Sequence, residues 1–147
     1  MMKKITFLLF LISSILIGQN QRSGTFVAGP QGALYPVSGS AALEILSNGT
    51  KRVVFKSDFN TIQGITLEVF LSTAPNITSG SNIKMSSQQL QDDNGGTDMS
   101  DPITGYKQFV VPANVELEDF DNILIQCTQA DLLWGNVALS SSLGSGC

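Results

Sequence analysis

Two cysteines and one acidic loop are the residues of this chain whose types and spacing could do chemistry. Cys127 ends the run Ile123-Leu-Ile-Gln-Cys127, and Cys147 is the last of 147 residues. A thiol becomes a nucleophile or redox group when it is exposed and a nearby cation or helix N-terminus lowers its pKa. Gln126, Thr128 and Gln129 beside Cys127 carry no charge, and strand alternation with Ile123 and Ile125 turns it inward. From the residues alone, Cys127 therefore reads either as a packed small hydrophobe or as a redox centre. A bridge from Cys127 to Cys147 would close a loop of about twenty residues, worth about 3 kcal/mol by chain entropy. An inward Cys127 and a Ser/Gly-rich tail oppose that closure, and an intermolecular bridge through Cys147 is the other reading. Asp92-Asp93-Asn94-Gly95-Gly96-Thr97-Asp98-Met99-Ser100-Asp101 gathers oxygen ligands around two glycines. Asp92, Asn94, Asp98 and Asp101 are its candidate calcium ligands. The loop lacks the EF-hand spacing and its late bidentate Glu, so a solvated acidic loop is the plainer reading.

What is missing narrows the chemistry further. The chain has no histidine. That excludes Ser-His-Asp and Cys-His nucleophile systems within it, and it removes the usual zinc and blue-copper ligand sets. No catalytic constellation remains, and no resident cofactor is predicted apart from calcium in that loop. Glu116, Glu118, Asp119 and Asp121 lie on one contiguous turn, whereas glycosidase carboxylates must face each other across a cleft. Trp134 and Tyr106 could line a sugar-binding face, with packing as the default for single aromatics. The sequons Asn48-Gly-Thr50 and Asn76-Ile-Thr78 matter only in a host that glycosylates them.

The segments that must position these residues follow from the pattern. Met1-Met2-Lys3-Lys4 and the apolar run from Ile5 to Gly18 have the layout of a secretory signal peptide, too short to span a bilayer. This predicts a signal at 1–18, a single β domain at 19–139 and a flexible Ser/Gly tail at 140–147, in a secreted or periplasmic protein. No cysteine follows the expected cut, so no lipoprotein anchor and no membrane span are expected after cleavage. Loss of Lys3 and Lys4 would move the formal charge from −4 to −6. That acidic balance opposes nucleic-acid binding, and the remaining basic residues look scattered along the chain.

Short strands are predicted at Ser23–Ala28, around Leu43, from Val53, at Ile65–Leu71, near Ile83, at Tyr106–Val111, at Ile123–Cys127 and around Trp134. Asn48-Gly49 predicts a type I′ hairpin turn. Beyond it, Val53, Phe55 and Phe59 share one face, with Arg52, Lys56 and Asp58 turned to water. Between Thr78 and Thr104 only Ile83, Met85 and Leu90 look able to join a core. Helical periodicity is absent after the signal, so the expected fold is all-β: an antiparallel β-sandwich or partly open barrel of about 7–9 short strands.

Ser23-Gly-Thr-Phe26, Phe55 to Phe59, Leu67-Glu-Val-Phe-Leu-Ser72, Gly105-Tyr-Lys-Gln-Phe-Val-Val-Pro112 and Ile123–Cys127 before Trp134-Gly-Asn-Val-Ala-Leu139 occur in a fixed order. In that order they resemble the DM-thirteen domain, a secreted β-rich module of Skeletor-type animal proteins and bacterial envelope proteins. The resemblance spans Ser23 to Leu139. It implies a redox or electron-transfer accessory centred on Cys127, because such domains occur beside haem-binding and cytochrome-type membrane domains. Gln126 departs from the pattern, which often has an aromatic residue there. The leading expectation is thus a non-enzymatic redox accessory with an unknown protein partner outside the cytoplasm. The alternative is an envelope interaction or adhesion module that binds protein or glycan through loops such as Ile83–Thr104.

Overall fold

The computed structural model describes residues 20–85, 90, 91, 98 and 101–141. The predicted signal segment 1–18, Cys147 and most of the 140–147 tail lie outside them. Within them the chain is an all-β fold, as expected, with eleven strands. These are β1 (Asn20–Ala28), β2 (Val37–Ser38), β3 (Ser40–Ile45), β4 (Lys51–Phe55), β5 (Asn60–Ile62), β6 (Leu67–Ser72), β7 (Asn82–Lys84), β8 (Pro102–Thr104), β9 (Lys107–Val110), β10 (Asn122–Cys127) and β11 (Leu132–Ala138). Eight form a curled antiparallel sheet, a half-barrel, in the order β7-β6-β10-β11-β1-β3-β4-β9. The other three, β2-β5-β8, make a small sheet of their own. These strands of two or three residues carry the count beyond the predicted 7–9.

Alternation builds the core. Phe26 of β1 pairs with Val137, which pairs with Ile123, which pairs with Leu71, and this row faces into the half-barrel. Phe55 anchors an aromatic cluster, its ring centroid 5.0 Å from Phe26, 4.6 Å from Phe59 and 5.2 Å from Phe109. Each such ring taken from water contributes about 1.5–3 kcal/mol. Met85, Leu90 and Ile103 also enter this core. A β-bulge between Ile125 and Gln126 lets β11 place Trp134 inside as an extra residue.

Two local expectations are corrected. Within the Asn48-Gly49 turn Gly49 alone has a positive φ, so the turn is not type I′. The Gly49 N–H donates to the Leu46 carbonyl, and the Leu46 N–H donates to the Thr50 carbonyl. This is a type I turn closed by a glycine bulge. The Asn48 carboxamide oxygen accepts the Thr50 N–H at 2.9 Å, a bond that replaces the second left-handed residue. The outer face of β4 is also drier than alternation predicts. Ala42 and Val54 form one cross-strand pair there, both fully buried. Arg52 and Lys56 reach the buried Glu44 carboxylate at 2.8 and 3.0 Å. Lys56 sits two rows from Glu44, so its chain crosses the Ala42–Val54 row and covers it.

Candidate functional site

The half-barrel has two unlike ends, and the difference begins with chain direction. The start of β1, the end of β3, the start of β4 and the end of β9 meet at one end. There Arg22 donates to the Phe120 carbonyl at 2.6 Å, the Ser140 carbonyl at 2.8 Å, the Leu117 carbonyl at 3.4 Å and Asp121 at 2.8 Å. Lys51 donates to the carbonyls of Ala113 and Val115. The expected charged turn is a short 3-10 helix, Leu117–Asp119, and with Leu117 and Phe120 buried it plugs this end. Glu116, Glu118, Asp119 and Asp121 therefore decorate a structural staple. Basic residues that look scattered in sequence act here as fasteners.

At the opposite end meet the end of β1, the starts of β6 and β11, and the end of β10. The β1–β2, β5–β6, β8–β9 and β10–β11 connections collect there. Leu34, Ile65 and Tyr106 sit on three of these connections, and Val27 is the penultimate residue of β1; all four are at least half exposed. Val110, at the stapled end of β9, is the other large exposed apolar side chain among the described residues. Ile65 was expected inside a strand. The structure starts β6 at Leu67 and leaves Ile65 on a loop, because Gln63 and Thr66 spend their backbone groups elsewhere. The Gln63 N–H donates to the Asp101 carbonyl, and the Thr66 carbonyl accepts the Thr128 N–H.

Cys127 lies beneath this loop end. It is the last residue of β10, 2% exposed, between Leu67 and Leu132 on its neighbouring strands. Its sulfur is 4.0 Å from the Thr66 hydroxyl, and that hydroxyl accepts the Gln129 N–H at 2.9 Å. The loop before β6 and the β10–β11 turn are thus tied together beside the thiol. Trp134 is a core side chain: its indole N–H donates to Thr61 Oγ1 at 2.9 Å, and its ring lies against Tyr35 at 4.3 Å. It presents no sugar-binding face alongside the exposed Tyr106.

Of the candidate calcium ligands, Asp92 and Asn94 lie outside the described residues. The Asp101 N–H donates to the Asp98 carbonyl, and the Asp101 carbonyl accepts from Gln63, so the backbone of this pair is spent on folding. Among the described residues no group of three His, Cys, Asp or Glu is placed to hold a metal ion.

Three carboxylates have pKa values below the ordinary range. Burial pushes Glu44 up, but hydrogen bonds and charge from Lys56 and Arg52 outweigh it. Ser40 hydrogen bonds lower Asp58, and the Lys84 hydrogen bond lowers Glu68.

Fold and ends together define an all-β module, stapled at one end and carrying apolar loops at the other. No family model, no curated protein and no solved structure matches this chain. Sequence reasoning missed the loop end. Leu34 and Ile65 do follow turn signals at Gly29-Pro30 and Gly64, but only the strand directions bring them together.

Proposed function

We propose that this chain is a non-enzymatic binding module acting outside the cytoplasm, with a partner seated on its loop end. One observation carries the reading: large apolar side chains are exposed on loops at one end, while the only described thiol is packed beneath them. Apolar groups spread over adjoining loops commonly mark an interaction surface. A thiol that exchanges electrons with a partner must reach it, and burial opposes that. The resemblance to DM-thirteen modules supports an exported β domain.

A redox accessory is the second reading. It is favoured by the place of Cys127 as the last residue of β10, next to the turn, where slight opening of the Thr66–Gln129 tie would expose it. Thiol alkylation in a Cys147→Ser background separates the two. Under the binding reading, native Cys127 reacts slower than the denatured chain by on the order of a hundredfold. Labelling of the native protein at the denatured rate would sink that reading and favour the redox one.

A further inference from the structure

We propose that the loop end docks a cationic, apolar-anchored segment of a partner polypeptide; this rests on the binding-module reading and names its partner class. The apolar half of the argument is Leu34, Ile65 and Tyr106, exposed on the connections that meet there. Those side chains need aliphatic or aromatic cover, which a purely polar glycan does not supply. The charge comes from Asp58, Asp101 and Asp131 on the same end's connections. Of the basic residues nearest them, Lys56 is committed to Glu44 and Lys84 to Glu68.

Beneath the same end two side-chain oxygens are closed off from any partner among the described residues. Gln63 and Gln126 are both buried, and each uses its amide N–H, on the Gly64 carbonyl and on Asp131 respectively. Each side-chain oxygen lacks a donor among the described residues. An end rich in carboxylates and fringed by apolar side chains complements positive charge carried on an apolar backbone. A second copy would bring the same negative charge, and so would nucleic acid or anionic lipid.

The test titrates the full chain with a short peptide of alternating Leu and Lys, and with its Leu-Glu counterpart. Binding is followed by the fluorescence of Trp134, the only tryptophan, which lies against Tyr35 beneath this end. The Leu-Lys peptide is expected to bind saturably and to weaken with salt. Leu34→Ser with Ile65→Ser is expected to weaken it roughly tenfold, as is Asp101→Asn with Asp131→Asn. Val110→Ser, at the stapled end, is expected to leave it unchanged. Urea midpoints of each variant separate lost binding from lost folding. Equal or tighter binding of the Leu-Glu peptide at this end would overturn the cationic partner and leave the binding module standing. Absence of binding by either peptide, or self-association abolished by Leu34→Ser with Ile65→Ser, would overturn it as well. Fast native alkylation of Cys127 would instead strike the reading beneath it.

Discussion

Removing the Arg22 guanidinium would strand three carbonyls at once. It donates to Leu117, Phe120 and Ser140, and its side chain is mostly buried, so the Leu117 and Phe120 carbonyls have little water to turn to, while the exposed Ser140 carbonyl has more. Arg22→Met is therefore expected to cost about 2–4 kcal/mol, read as a lower urea midpoint. The Asp121 ion pair is the lesser part, because Asp121 is well exposed and exposed pairs are worth about 0–1 kcal/mol. Asp121→Asn should fall in that small range; a loss as large as that of Arg22→Met would show that charge, not the carbonyl bonds, holds this end. Arg22→Lys should recover only part, since an ammonium cannot span the same forked set of acceptors. Nothing in the sequence marks Arg22 for this work, because its partners lie about a hundred residues away. Cys127 is the opposite case: its inward position was legible from the Ile123-Ile125-Cys127 alternation, and the structure buries it.

Strands test the same point through their glycines. Gly24 of β1 lies between β3 and β11, and a Cβ there would overlap the Ala138 carbonyl oxygen and press on Val137 at 2.7 Å. Gly24→Ala must push β11 from β1, and about 3 kcal/mol or more is expected on the urea midpoint. Gly49→Ala meets nothing within 4 Å, so only the strain of its +85° φ is charged, about 1 kcal/mol. Similar losses for both would mean that the β1–β11 approach is looser than drawn. Legibility at this scale was uneven for a physical reason. Six-residue strands such as β6 and β10 show their period in the residues, and their existence and type were predicted, although the structure buries both faces of β10. β2 and β8 are two or three residues each, too short to carry a period, and they exist because partner strands satisfy them. The turn at Asn48-Gly49 was placed correctly and typed wrongly. Its dipeptide suits the I′ geometry, but a side-chain bond from Asn48 selects another. The loop end was the least legible, since sequence alternation says which side chains point out, not which strand ends meet.

Across the whole molecule the carboxylates set the response to acid. Glu44, Asp58 and Glu68 are all held below their ordinary values in the fold, and the unfolded chain titrates at those ordinary values, near 4.5 for Glu and 3.8 for Asp. Between the two pKa values of each group the unfolded state binds more protons than the native one, so stability rises with pH through that window. The stabilisation is fully present above about pH 5 and is lost as pH falls through the lowered values. No histidine is present, so no side chain of ordinary pKa titrates between about pH 5 and 8. Urea midpoints should therefore be flat across that range and decline steadily below about pH 4.5. Glu44→Gln isolates the largest cluster: at neutral pH it leaves Arg52 and Lys56 without their carboxylate over the Ala42–Val54 pair. In strong acid the wild-type Glu44 is itself protonated and differs little from Gln. The gap between wild type and Glu44→Gln should accordingly be widest at neutrality and narrow as pH drops below about 4. A gap that stays constant with pH would mean that Glu44 stabilises by filling space rather than by charge. It would then be the crossing chains of Arg52 and Lys56, and not their ion pairs, that keep water from the outer face of the sheet.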